Sequence, residues 1–354
     1  MKYLVEYLPR IGSVNIIIEN VEDLIVRISS ETEVGISYRE NDMPSSSIVK
    51  LPCEVSIDQP VNLVKRTGNE AAFTLRLKAS SSRISEANVY SDFQGKWSKN
   101  QLLQSSKFKL KCFNCNSDII DEQNYRKLND MPSEYWAELM DYWHCHKPDI
   151  HNGSTQVYNT GNAYASLKPL DGEILIGGSY FMMTEKTLKE RICIDDNEDN
   201  SSLYCGQCSC KLGERSTNNL LKIYKWQLTL ETLDGLSHFA PKDDIIISLL
   251  ELANAHSERR ILLKCGSKVV LVWLFTVGLG ITLSAGTSYN NAIKVFYDEN
   301  PTIEKDKTPE ELTALQKPFD QFMDHLATQY EIIPTSARSI GPLKVGYFDL
   351  DSIF

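Results

Sequence analysis

Three things are missing from these 354 residues: a block of basic side chains, an apolar stretch of membrane length, and a glycine-rich phosphate loop. With 47 acidic against 37 basic residues, the net charge is −10. That balance argues against unaided binding to nucleic-acid backbones, which depends on basic side chains displacing counterions. A nucleic-acid role is expected to run through a protein partner. The longest apolar run, Val269 to Ile281, has 13 residues, whereas a bilayer needs roughly 20. Its Val, Trp and Phe content fits a buried strand. The opening "MKYLVEYLPR" carries Glu6 and no sustained apolar run, so it does not read as a signal peptide. "GLG" at 278–280 lacks the third glycine and following helix of a dinucleotide fingerprint. Cysteine is also scarce, and the count of nine is odd. A disulfide framework is therefore not expected; a reduced setting, cytoplasm or nucleus, is, and there clustered thiols usually hold metal.

What remains is an ordinary globular composition, 42% apolar and 24% charged, in a chain long enough for two or three cores. The expected fold is a mixed β-rich α+β arrangement in three parts. Residues 1–108 read as an N-terminal β domain, with strands in "VNIIIENVEDLIVRISS" and "AAFTLRLKAS" and loops at "ENDMPSSSIVKLP" and "SSSRISEANVYSDFQGKWSKN". Cys53 there reads as a small packed apolar side chain. Residues 109–230 form a central zinc-bearing domain. In it "MPSEYWAELMDYW" predicts a helix capped by Ser133, with Trp136, Leu139, Met140 and Trp143 on one face, ended by Pro148. "EILIGGSYFMM" predicts a buried strand containing a glycine pair, "IDDNEDNSS" an acidic loop, and "KIYKWQLTLETL" a strand. Residues 231–354 read as a C-terminal α/β segment. It has a helix at "DDIIISLLELANAH", strands at "RRILLKCGSKVVLVWLF" and "AIKVFY", and a second helix in "TPEELTALQKPFDQFMDHLATQY". Thr308, Pro309 and Glu311 read as that helix's capping box, and Pro318 as its kink or division.

The cysteines carry the chemistry. Cys112-x-x-Cys115 and Cys205-x-x-Cys208 are two tight turns of the kind that point paired thiolates at one ion, and two such turns complete a tetrahedral zinc site. Asn114 and Gly206 are expected to supply any positive φ the turns require. The alternative is that these thiols are merely buried or surface cysteines. The 89 residues from 116 to 204 that separate the pairs far exceed the roughly 15–20 of a compact ribbon. One metal would then tie together distant β-turns. Cys210, the third thiol of "CGQCSC", reads as a neighbour of the site and not a ligand. Cys145, between His144 and His146 and near His151, admits three readings: a structural or zinc-associated residue, a nucleophile activated by an imidazolium, or part of a second metal cluster.

Taken in order, "CFNC", "NYRKLNDMPSEYWAELMDYWHCHKPD", "ILIGGSYFMM" and "CGQCSCKLGE" resemble the HECT-like E2-binding proteins, a family of E3 ubiquitin ligases. The resemblance extends more weakly over nearly the full chain. It implies binding of a ubiquitin-charged conjugating enzyme (E2) and transfer of ubiquitin. For the fungal branch it also implies engagement of the metallo-β-lactamase-type endonuclease of pre-mRNA 3′-end cleavage and polyadenylation, with the nuclease's active site covered. The family's recurring residues fall on Cys112, Cys115, Cys145, Cys205, Cys208 and His146; His144 and Cys210 lie outside the shared pattern. The ending C-x2-C-x3-LG is also similar to zinc-bearing β-tent domains, which implies a β-tent-like fold for the central part.

Two functions are thus expected. One is a ligase, working either through a thioester on Cys145 or as an adaptor without a covalent step. Nothing resembles the C-terminal lobe of true HECT enzymes, and the last cysteine, Cys265, sits in a predicted turn. The other is a non-catalytic binder, a chaperone or inhibitor of the endonuclease, for which the acidic residues Asp195, Asp196, Glu198 and Asp199 are candidate contacts.

Overall fold

A computed structural model describes residues 1–40, 43–66, 72–80, 95–105, 107–131, 169–188, 191–195, 202–215, 220–302 and 309–354. The chain forms two compact units, one of residues 1–93 with 258–354 and one of residues 94–257. The divisions expected from sequence, at 108 and 230, are not where the contacts separate. The reason lies in the first strand, Lys2–Leu8. It pairs on one side with Ser13–Glu19 and on the other with Lys268–Leu283, with Leu4 opposite Leu283 and Tyr7 opposite Gly280. Residues from both terminal thirds therefore build one sheet.

In the first unit that sheet has ten strands among the described residues. Its main path runs Ser339–Ile340, Leu343–Asp349, Ser288–Asp298, Lys268–Leu283, Lys2–Leu8, Ser13–Glu19, Ala72–Lys78, Leu63–Arg66. Strands Arg260–Cys265 and Glu310–Thr313 lie beside this path. Alternation sends successive residues to opposite faces. Val5, Val14, Ile16, Ile18, Leu75 and Leu77 pack on one side with Val34, Ile36 and Val49 of a three-stranded sheet. Leu4, Leu279, Ile281, Phe296, Val345 and Tyr347 form a separate cluster with Ile333. The helix Gln316–Ile332 lies on Leu343–Asp349, where Phe322 and Phe348 stack at 4.9 Å.

Several local expectations change. "ENDMPSSSIVKLP" contains the strand Met43–Lys50, the outer member of the three-stranded sheet. Pro44 is tolerated because an edge strand does not need every N–H. Residues 310–313 are a strand running parallel to Arg260–Cys265, and no helix starts there. The helix begins at Gln316, so Pro318 neither divides nor kinks it and occupies the first turn, where a missing N–H costs nothing. Thr308 lies outside the described residues, as do the predicted helix after Ser133, "HCH" at 144–146, and residues 196–201 of the acidic loop. The helix Pro241–His256, the strands on either side of Gly266 and the strand through "AIKVFY" are where the sequence places them. No helix among the described residues is long and apolar enough to cross a membrane.

Among the described residues the second unit contains two sheets. Seven strands run in the order Lys127–Asp130, Glu173–Ile176, Tyr180–Thr184, Leu220–Tyr224, Lys211–Arg215, Ser202–Cys205, Ile192–Asp195. Four run in the order Gly235–His238, Leu228–Thr232, Phe108–Cys112, Asp118–Ile120. "EILIGGSYFMM" is a hairpin, not one strand: its glycine pair makes the turn between Ile176 and Tyr180. A Cβ on Gly178 would approach Ile247 Cγ2 to 2.6 Å, which explains the need for glycine there. "KIYKWQLTLETL" is likewise two strands. A 3-10 turn, Lys225–Gln227, carries the chain from the larger sheet to the smaller.

That turn buries Lys225 completely. Its ammonium donates to the carbonyls of Lys96 (2.7 Å) and Gly178 (3.0 Å) and lies over the rings of Phe181 and Phe239. Burial pushes its pKa down to about 7, opposed by the carboxylates of Asp130 and Glu251. In the unfolded chain the amine keeps its proton to about pH 10. Between those values the unfolded state binds the extra proton, so folding stability rises with pH. Chemical denaturation of wild type and Lys225→Met is expected to give a stability difference that moves in favour of wild type by on the order of 2 kcal/mol between pH 7 and 9. A difference that stays constant with pH would show that the buried amine is not the titrating group.

Candidate metal centre

Each cysteine pair begins at the last residue of a strand: Cys112 ends Phe108–Cys112 in the four-stranded sheet, and Cys205 ends Ser202–Cys205 in the seven-stranded sheet. The two turns repeat the same backbone pattern. Cys112 N–H donates to Ser117 O and Cys205 N–H to Cys210 O, both at 2.8 Å. Asn116 N–H returns to Cys112 O and Ser209 N–H to Cys205 O, both at 2.9 Å. Closing the turn this way requires a left-handed residue four places after the first cysteine. Asn116 (φ 59°) and Ser209 (φ 55°) supply it. The positive φ therefore falls on these residues, not on Asn114 and Gly206. Gly206 is needed for a different reason: a Cβ there would lie 3.1 Å from the Arg191 carbonyl oxygen, to which its own N–H donates.

The four sulfurs of Cys112, Cys115, Cys205 and Cys208 lie within 4.8 Å of one another. Cys112 to Cys208 and Cys115 to Cys205 are each 3.7 Å. Cys112 and Cys205 are buried, Cys208 is half-buried and Cys115 is exposed. Burial raises the Cys112 thiol to about 12. The Ser117 hydroxyl and amide hold Cys115 below the ordinary thiol range. At Cys205 burial, which alone raises the pKa, is outweighed by the Ser117 hydroxyl and the amides of Cys208 and Gln207, so it too is lowered. Cys208 is lowered by the Asn114 side chain and the Cys210 amide. Four convergent sulfurs surrounded by hydrogen-bond donors can hold a metal ion.

The four cysteines that the sequence pattern groups are brought together here from separate sheets. Cys145, His144, His146 and His151 lie outside the described residues. Among the described residues, Cys210 is no member of the four-sulfur cluster; its sulfur points at the Lys211 carbonyl (3.8 Å). Cys53 is half-buried against the core of the first unit, with its thiol raised to about 11 by burial, as suits a packed apolar side chain. Cys265 is buried, with Sγ 3.4 Å from Gln316 Oε1. Asp195 closes a strand rather than a loop. Sequence reasoning missed Ser117 as a partner of the sulfurs, and the only advance signal was that "CFNCNS" is rich in side chains that donate locally.

A β-sheet protein with a four-cysteine centre at the ends of strands from two sheets is the class these features define. Within it, the chain belongs to the HECT-like ubiquitin-conjugating enzyme (E2)-binding family, whose sequence profile matches residues 6–345. It is 34% identical to "Uncharacterized protein YJR141W" of Saccharomyces cerevisiae over 99% of both chains. It is 22% identical to "Uncharacterized protein C1734.10c" of Schizosaccharomyces pombe over 97% of each. With an E3 ubiquitin-protein ligase of Mus musculus it shares 22% identity over 72% of this chain and 67% of that one. No solved structure matches it.

Between Leu203 and Tyr204 the pairing with Lys211–Arg215 slips by one residue, a bulge that leaves Gly213 opposite Ile223 on its other side. A Cβ on Gly213 would collide with the Lys222 carbonyl oxygen. The clash is with backbone, which cannot swing aside, so Gly213→Ala is expected to destabilise the second unit by about 1–3 kcal/mol. Thermal unfolding compared with wild type measures this; an unchanged midpoint would mean the strands can separate without cost.

Proposed function

We propose that this protein is an E3 ubiquitin-protein ligase that binds a ubiquitin-conjugating enzyme through a scaffold organised by one structural zinc ion. The observation that carries the ligase reading is the family match over residues 6–345, supported by the ligase relatives among the mammals. For the zinc, the support is geometric. A tetrahedron of 2.3 Å Zn–S bonds has S···S edges of about 3.8 Å, and the cross-turn separations Cys112 to Cys208 and Cys115 to Cys205 are each 3.7 Å. Cys112, Cys115, Cys205 and Cys208 would hold the ion. Four thiolates leave no open position for water or substrate, so the ion's role is structural. As an adaptor the protein raises the local concentration of charged E2 beside a target lysine and takes no covalent part. Cys145 is the residue for the alternative, a thiolate that receives ubiquitin from the E2 thioester before passing it on.

A second reading places the protein on the 3′-end processing endonuclease, as binder, chaperone or inhibitor, in cytoplasm and nucleus. The net charge of −10 supports it, because an acidic surface complements a cleft made for a phosphate backbone.

Elemental analysis of purified protein is expected to return one zinc per chain, and Cys205→Ser to abolish it. Protein without zinc would remove the scaffold reading. In ubiquitin-chain assays with a panel of E2 enzymes, activity that survives Cys145→Ala supports the adaptor, while its loss, with E2 binding kept, supports the thioester. Failure to bind any E2 would sink the ligase reading. Capture of the purified endonuclease without E2 or ubiquitin tests the second.

A further inference from the structure

The two cysteine turns share a backbone but not their side-chain reach, and the difference points one way. Ser117, five places after Cys112, sets its hydroxyl 3.2 Å from Cys115 Sγ and 3.3 Å from Cys205 Sγ, so it touches one sulfur of each turn. A side chain of the first turn therefore reaches a sulfur of the second. The equivalent position in the second turn is Cys210, whose sulfur is directed at the Lys211 carbonyl. A thiol is a weak donor, and its sulfur is a poor substitute for a hydroxyl in this place.

We propose that the first turn clamps the second through Ser117, which acts as a positioning residue for the four-sulfur site. The proposal rests on the zinc reading and extends it. Four thiolates around a divalent cation carry a net charge of about −2, and donors to sulfur spread that charge. When the ion is bound all four sulfurs are thiolates and only accept; the Ser117 hydroxyl then donates its single proton to Cys115, to Cys205, or to both at once. The same side chain bridges turns that belong to different sheets and are separated by 89 residues in the chain. The bridge is made of protein alone, so it can hold the sulfurs near one another before an ion arrives. Partners of this kind typically alter metal affinity by about 10- to 100-fold.

The test uses the full chain with cobalt(II) as the probe, since its sulfur-to-metal charge-transfer band reports electron density at the ligands. Wild type, Ser117→Ala, Ser117→Val and Ser117→Thr are each loaded, and release to a chelator is timed. The expected result is one cobalt per chain throughout. In Ser117→Ala the band moves to lower energy and release is about tenfold faster. Ser117→Thr, which keeps the hydroxyl, returns both readouts to wild type, a rescue that general damage to the fold would not show. Should Ser117→Ala not fold, Ser117→Val, the shape of threonine without its hydroxyl, carries the test alone through faster release. Variants that bind one cobalt per chain with the wild-type band and release rate overturn the clamp and leave the metal site standing. Wild-type protein that binds no cobalt and no zinc overturns both.

Discussion

Four sulfur atoms carried by two different sheets have to meet within a few ångströms, and much of the second unit can be understood as the means to that meeting. Strands Phe108–Cys112 and Ser202–Cys205 both stop at the first cysteine of a pair, and the turns that follow are closed by the same hydrogen bonds. The 3-10 turn Lys225–Gln227 passes the chain between the sheets, and its Gln227 carbonyl accepts the amide of Phe113, inside the first cysteine turn. Gly213 lets a third strand close up beside the second turn. Structural zinc in small peptides is worth about 10–16 kcal/mol, comparable with the whole stability of a typical domain, about 5–15 kcal/mol. An ion at this position would therefore be a principal term in holding the two sheets together.

Much of this was legible in the residues, and the parts that were not share a cause. The C-x-x-C pairs are local motifs with a fixed chemical meaning, and they were readable at any separation. The helix Pro241–His256 and the hairpin around Gly266 follow from composition and turn chemistry within a few residues. By contrast, the strand Met43–Lys50 is rich in serine and contains a proline; only its place at a sheet edge makes it a strand. Glu310–Thr313 had every local sign of a helix start, yet its partner strand, about fifty residues earlier in the chain, wins. The left-handed residues were misassigned because the turn's closure, and not the space between its cysteines, decides where positive φ falls. The joining of the terminal thirds into one sheet depends on pairing across more than 270 positions, Leu4 with Leu283, for which no local pattern exists.

The family and the geometry speak to different levels. The geometry describes four sulfurs close enough to hold one metal ion, and an ion bound by all four would have no vacancy for chemistry. Membership of the HECT-like E2-binding family adds a description of partner binding, a ubiquitin-conjugating enzyme, at the level of the whole chain. Fold alone would not have supplied that, since β-sheet scaffolds with cysteine-bound ions serve many purposes.

Chain connectivity has one further consequence, for the order of events on the ribosome. Strand Lys2–Leu8 needs Lys268–Leu283 on its open side, so the large sheet of the first unit stays incomplete while everything between is being translated. At synthesis rates of about 5–20 residues per second, that wait lasts on the order of 15–60 seconds. Residues 94–257, sulfurs included, emerge inside this interval and can finish folding first. The inserted unit is thereby synthesised whole while its host is still half made, with the edge of Lys2–Leu8 open to chaperones or to mispairing until the matching strand appears.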